Sequence, residues 1–211
     1  MKSNPILLLA SSSFSRQQLL TEAQIPYQVI GHEADETACS TDVPLTTIVR
    51  ELALLKMAHA CLPSGAEGDV SFVLAADSLG SDSQGSIFGK PTDREDAIRM
   101  IKHLREGGQC ATGYCLERKI YSNGLWQTQK QICEVVSAEY VLDLPDAWID
   151  RYLEHTEALR ASGGLAVEGY GGLFVKTIRG SFSTIRGLPL CAVRNALDAC
   201  GFYALAQPDN C

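Results

Sequence analysis

A chain of 211 residues with 45% apolar and 20% charged side chains can bury a sizeable core, as one large domain or as two lobes sharing a cleft. Its formal net charge of −7 excludes a general nucleic-acid coat, because a polyphosphate backbone is bound by a basic surface, yet a few local Lys and Arg can still hold a small anion. No stretch approaches the roughly 18 apolar residues of a membrane helix, and the opening apolar run is shorter than the ~7–15 residues of a signal-peptide core, so a cytoplasmic protein with no membrane partner is expected.

Residues 6–10, ILLLA, form a continuous apolar run, the pattern of a strand covered on both faces. A helix is predicted over 14–23, with Leu19, Leu20 and Ala23 facing inward, and Pro26 ends it. A short strand over 27–30 leads into the acidic loop HEADET, residues 32–37. Residues 43–62, VPLTTIVRELALLKMAHACL, carry the clearest amphipathic pattern, with Leu45, Ile48, Val49, Leu52 and Leu55 at helical spacing. After a loop over 63–69, VSFVLAA (70–76) reads as a second buried strand ending at Asp77.

The stretch TDRE, 92–95, reads as a capping box opening a helix that runs to about residue 104, where Gly107 and Gly108 close it. Over 109–142 the composition turns β-like, with Asn123-Gly124 marking a hairpin. A helix over 145–153 follows, then the glycine-rich SGGLAVEGYGGLFVKTIRG, 162–180. The last helix starts near Pro189 and ends at Cys200, with Gly201 as its stop. This order predicts an α/β fold whose sheet is mixed rather than purely parallel. Cys39, Cys61, Cys110, Cys115, Cys133, Cys191, Cys200 and Cys211 show no CxxC and no partnering histidines, so they read as buried free thiols rather than disulfides or zinc ligands.

Four groups of residues could carry chemistry. Ser11, Ser12 and Ser13 stand where the first strand hands over to a helix, whose unpaired N–H groups attract phosphate, and Arg16 follows one turn later. An ordinary helix cap explains the serines equally well, and the glycines of a Walker loop are missing. Asp77, at the end of a buried strand, suits a general base or a metal ligand. Glu33, Asp35 and Glu36 could hold a hard cation or simply be solvated. Lys56 and Lys90, the latter fixed between Gly89 and Pro91, could contact phosphate. A serine hydrolase is disfavoured, since there is no GxSxG elbow and His32, His59, His103 and His155 read as structural or surface residues.

Taken in order, LLLASSSFSR, ADE, LALLKMA, AADS, GKP, EGYGG and GLPL make the chain resemble the Maf (septum-formation-inhibitor-like) nucleoside triphosphate pyrophosphatases over nearly its whole length. The resemblance implies a single domain over 1–211, with a β-rich insertion at about 109–142 and two α/β lobes of a mixed twisted sheet with flanking helices around a deep nucleotide-binding cleft. It implies a Mg²⁺- or Mn²⁺-dependent enzyme that splits a nucleoside triphosphate into monophosphate and pyrophosphate, and a homodimer as its assembly. By the same resemblance Ser11, Ser12, Ser13, Arg16, Lys56 and Lys90 bind the phosphates, Asp77 activates water, and Glu33, Glu36 and Asp77 hold the metal. Positioned cations of this kind are what phosphoryl transfer needs.

The chain departs from the family pattern at Phe14, Ser15 and Gln17, where the family's SxSPRR has proline and arginines, at Leu55 beside Lys56, and at Arg186 in IRGLPL. A lost arginine would weaken phosphate binding by ~1.5–3 kcal/mol if it made a charged hydrogen bond. Base choice in the family falls on the positions of Ser15, Ser78 and Glu168. The EG at Glu168 resembles the 7-methyl-GTP branch, whereas QG belongs to the dTTP/UTP branch. A carboxylate accepts both adjacent donors of guanine, and an amide suits uracil or thymine better. Phe14 or Tyr170 would then stack on the base. The alternative is a weakly active nucleotide-binding regulator of cell division.

Overall fold

The computed structural model describes residues 5–36 and 43–205. Its elements in chain order are β1 Leu7–Ala10, α1 Phe14–Glu22, β2 Tyr27–Ile30, α2 Leu45–Ala58, β3 Val70–Asp82, β4 Ile87–Phe88, α3 Arg94–Leu104, β5 Gly108–Ser122, β6 Leu125–Leu142, α4 Asp146–His155, β7 Val175–Arg179, α5 Phe182–Ile185, α6 Leu190–Ala199 and α7 Phe202–Leu205. Seven strands form one mixed sheet in the order β2-β1-β3-β5-β6-β7, with β4 beside β3. β1 runs parallel to β2 and β3, and the remaining pairs are antiparallel. The expected α/β fold with a mixed sheet and flanking helices is what the chain adopts.

The run ILLLA is apolar throughout because both of its faces are covered. Leu7 and Leu9 pack with Leu19 and Leu20 of α1 and Val193 and Leu197 of α6, while Leu8 and Ala10 pack with Met57 of α2, Val73 and Ala75. A second core joins α3, α4, β6 and the glycine-rich stretch through Ile101, Tyr140, Ile149, Tyr152 and Phe174. The hairpin turns at Asn123 and Gly124, both at positive φ (55° and 80°), as its Asn-Gly sequence requires.

Several boundaries differ from expectation for physical reasons. β3 does not end at Asp77 but runs to Asp82, because β5 supplies an antiparallel ladder all the way from Val70↔Ile120 to Asp82↔Gly108. On its other flank β3 pairs with β1 only over Phe72, Val73 and Leu74, and with β4 only at Gly80 and Ser81. Among the described residues no strand pairs with that flank between Ala75 and Leu79, and Asp77 sits in the middle of the gap. The helix at α3 is capped by Asp93, whose side chain accepts the Asp96 N–H at 2.8 Å, while the Asp96 carboxylate accepts the Thr92 N–H at 3.0 Å. The cap is thus one residue later than TDRE suggests, because a carboxylate outcompetes the threonine hydroxyl. In α2 the buried stripe is Leu45, Ile48, Val49, Leu52, Ala53, Lys56 and Met57, so Lys56 faces inward and Leu55 is only half-buried.

The cysteine reading is corrected in part. Cys115 and Cys133 stand directly opposite each other on β5 and β6, with Cα atoms 4.2 Å apart, and are joined as a disulfide. Cys110 and Cys200 are buried free thiols, whereas Cys61 and Cys191 are free but exposed. Cys39 and Cys211 lie outside the described residues.

Candidate active site

The gap beside β3 opens into a cavity of about 460 Å³. It is lined by Ser11, Ser12, Ser13, Ser15, Arg16, Glu36, Lys56, Asp77, Ser78, Lys90 and Glu168, so the expected phosphate, catalytic and base-reading residues meet in one place, while Glu33, Asp35, Phe14 and Tyr170 do not border it. Adjacent residues of a strand point to opposite faces. Asp77 and Ser78 therefore face opposite sides of the sheet, yet both border the cavity because no strand covers this edge.

On the α2 side, Lys56 Nζ lies 2.5 Å from Asp77 Oδ1 and 3.1 Å from Glu36 Oε2. Burying a lysine in an apolar stripe is tolerated only when it is paired, and here one ammonium draws two carboxylates to a single point. Close approach of α2 to the sheet makes this possible. Gly113, opposite Asp77 in the ladder, has no side chain, and a Cβ there would lie 2.3 Å from the Val49 carbonyl oxygen of α2. Glu36 is brought in by the segment after β2, where His32 bridges to Ala60 and the Glu33 N–H donates to the His59 carbonyl at 3.0 Å. Glu33 itself is exposed and borders none of the cavity.

On the α1 side, Ser13 occupies the cap position of α1 but makes no capping hydrogen bond with its side chain; instead its N–H donates to Ser11 Oγ at 3.3 Å. Leaving first-turn N–H groups without a side-chain partner is what an anion site at a helix start requires. Arg16 is buried and already employed: Nε donates to the Gly187 carbonyl at 2.8 Å, Nη1 to Ser11 Oγ at 2.9 Å and Nη2 to Ser78 Oγ at 3.0 Å. Burial pulls its pKa below the ordinary arginine value, and the Asp77 carboxylate opposes that shift. Ser78 also shares a hydrogen bond with Thr112 (2.8 Å), which donates to the Thr184 carbonyl at 3.0 Å. These contacts tie α1, β3, β5 and the 184–187 turn into one wall.

At the third corner, Ser15 Oγ donates to Glu168 Oε1 at 3.4 Å, and the Val167 N–H donates to Oε2 at 3.2 Å. Neither expected stacking residue borders the cavity. Phe14 is exposed, and Tyr170 stacks on His155 with ring centroids 4.8 Å apart. Among the lining residues with polar or ionisable side chains, sequence reasoning gave no site role to His32, Cys110, Arg160, Ser162 and Arg186. Burial and the nearby Lys56 ammonium hold the His32 pKa below its ordinary value, and burial pushes the Cys110 thiol up to about 12, which leaves it a neutral wall. A basic residue beside the glycine-rich stretch was the one available signal for Arg160.

Among the described residues no group of three His, Cys, Asp or Glu side chains is placed to hold a metal ion by itself. Asp77 and Glu36, converging on Lys56 Nζ, are the carboxylates that could share one with a phosphate ligand.

Comparison with known proteins supplies independent findings. The family model described as Maf-like protein matches residues 6–200. The chain is 35% identical over 196 residues to a nucleoside triphosphate pyrophosphatase of Synechococcus sp. (strain WH7803), covering 91% of this chain and 98% of that one. It is 34% identical over 202 residues to a dTTP/UTP pyrophosphatase of Anaeromyxobacter dehalogenans (strain 2CP-C), covering 94% and 95%.

Proposed function

The chain belongs to the Maf-like protein family, and from that premise we propose that it is a nucleoside triphosphate pyrophosphatase, hydrolysing the bond between the α and β phosphates. The observation that carries this reading is the Asp77–Lys56–Glu36 cluster, held in a sheet-edge cavity beside an uncapped helix start. Pyrophosphatase activity in the Synechococcus and Anaeromyxobacter relatives supports it.

In this reading Ser11, Ser12, Ser13 and the first-turn N–H groups of α1 cradle the phosphates, and Lys56 balances charge next to Asp77. The Asp77 carboxylate takes a proton from the attacking water as its oxygen bonds to the α phosphorus. The bond from that phosphorus to the bridging oxygen breaks, and pyrophosphate leaves. Arg16 acts mainly by fixing α1 against β3 and Gly187, with three of its N–H donors committed to the protein. The carboxylates of Asp77 and Glu36 fit Mg²⁺ or Mn²⁺, which commonly takes one or two carboxylates plus substrate phosphates. Bound there, the ion would supply further neutralisation of phosphate charge.

For the base, Glu168 beside Ser15 favours a guanine-type ring, including its 7-methyl form, because a carboxylate can accept two adjacent N–H donors. The activity of the Anaeromyxobacter relative favours a second reading, in which dTTP and UTP are the substrates. Pyrophosphate release measured with Mg²⁺ or Mn²⁺ across GTP, 7-methyl-GTP, dTTP, UTP and CTP separates them, and chelating the metal is expected to abolish turnover. Release led by GTP or 7-methyl-GTP supports the Glu168 argument; release led by dTTP or UTP keeps the enzyme and overturns that argument. Nucleotide binding without any release would instead leave a nucleotide-binding regulator. Glu168→Gln is expected to lower kcat/KM for guanine nucleotides by about 10- to 100-fold, the worth of a charged hydrogen bond, and to affect pyrimidine nucleotides far less. Equal losses for both classes would refute base reading by this residue.

A further inference from the structure

Five cationic side chains border the cavity: Arg16, Lys56, Lys90, Arg160 and Arg186. Three are already engaged. Arg16 donates to Gly187, Ser11 and Ser78, and Lys56 is shared by Asp77 and Glu36. Arg186 makes a two-pronged pair with Glu22 of α1 (2.6 and 2.9 Å). Among the described residues, Lys90 makes no hydrogen bond or ion pair. Arg160 has a single ion pair, with Glu157 three residues away at 3.4 Å, and its side chain is 76% exposed. A pair of that kind holds its partners weakly.

These two available cations are brought to one seam by backbone stitching. The Gly163 N–H donates to the Gly89 carbonyl at 2.8 Å, next to Lys90. Ser162 Oγ donates to the Phe88 carbonyl at 2.5 Å and accepts the Gly80 N–H at 3.2 Å. Gly163 has φ of +67°, and a Cβ there would lie 2.4 Å from Leu104 Cδ1, so the turn carrying Arg160 is pressed against α3. Arg160 and Lys90 thus stand on fixed backbone with exposed charges, the first held only by a weak surface pair and the second unpaired among the described residues. The other side of the cavity, where Lys56 meets two carboxylates, has no surplus positive charge.

We propose that Arg160 is a substrate-binding residue that, together with Lys90, grips the β,γ-pyrophosphoryl end of the nucleotide and holds the pyrophosphate product. The assignment rests on the pyrophosphatase reading. The terminal phosphates carry the highest charge density of the substrate, and the surplus positive charge of the cavity lies at this seam. A planar guanidinium binds two phosphate oxygens at once, whereas a lysine offers a point charge. Because both side chains are exposed, they can release product as well as capture it.

Calorimetric titration of the full chain with inorganic pyrophosphate and, separately, with a nucleoside monophosphate tests the assignment, using wild type, Arg160→Ala, Arg160→Lys and Lys90→Ala at one salt concentration. Arg160→Ala and Lys90→Ala are each expected to weaken pyrophosphate binding about tenfold, with monophosphate affinity unchanged and Arg160→Lys intermediate. Unchanged pyrophosphate affinity in Arg160→Ala, equal losses for both ligands, or no pyrophosphate binding by wild type would each overturn the proposal. Turnover is scored separately. A wild type that binds pyrophosphate but releases none from any nucleotide refutes the pyrophosphatase reading, while the titrations still decide the role of Arg160.

Discussion

Asp77→Asn is expected to lower the turnover number for pyrophosphate release by about 10²- to 10⁴-fold, the usual cost of losing a general base. The asparagine keeps the shape of the carboxylate and one oxygen for Lys56 Nζ, which lies 2.5 Å from Oδ1. It cannot take a proton from water. Glu36, 3.1 Å from the same ammonium, still pairs with Lys56, so the lysine is not left as a bare buried charge. Nucleotide affinity, set by the serines, the α1 start and the remaining cations, should therefore change much less than the rate. Steady-state release with a parallel binding titration gives both numbers. A variant that turns over at the wild-type rate would remove Asp77 from the chemistry.

Gly113→Ala carries the largest expected effect on stability. An added methyl would meet the Val49 carbonyl oxygen at 2.3 Å, the Val49 carbonyl carbon at 2.5 Å and the Arg50 nitrogen at 2.8 Å, all backbone atoms of α2. No rotamer change relieves a clash with backbone, so α2 must move off the sheet and give up the packing of Val49 on Ala111. Overpacking of this kind typically costs 1–3 kcal/mol, and with lost core contacts about 3–5 kcal/mol is expected. Urea denaturation monitored by far-ultraviolet circular dichroism measures it. Because α2 also carries Lys56, the fraction that still folds should show weakened activity. A loss below ~1 kcal/mol would mean that α2 accommodates a side chain here after all.

Much of this architecture was readable in the residues. The all-apolar ILLLA, the Asn-Gly turn and the stripe of α2 each arise from local periodicity or turn chemistry, and local signals survive without tertiary context. The members of the candidate site could be listed from the sequence because Asp77, Lys56, Glu36 and Arg16 lie in recognisable order along the chain, and the fold brings them to one cavity. What could not be read were relations made only by folding. The strand through Asp77 looked finished there, since Ser78, Gly80 and Ser81 are poor strand residues, yet β5 supplies hydrogen-bond partners for them all. Lys56 was expected at a phosphate, but its place in the buried stripe one turn beyond Leu52, paired with Asp77 and Glu36, could not be read from the pattern. Arg160 and Ser162 fall in a stretch with no periodicity, and only the bonds to Phe88, Gly89 and Gly80 bring them to the cavity. Glu33 and Glu36 are indistinguishable by composition; the bridge from His32 to Ala60 turns one away from the cavity and lets the other reach it.

The break in the pairing of β3 has a further consequence. Its flank meets β1 up to Leu74 and β4 from Gly80, and what lies between is a sheet with a piece left out. In the proposed function, a substrate entering there would take the place of a missing length of strand, so the capacity to bind would be a property of where β1 stops as much as of the side chains around it. Extending β1 across the whole stretch from Ala75 to Leu79 would heal the sheet and close the gap that opens into the cavity.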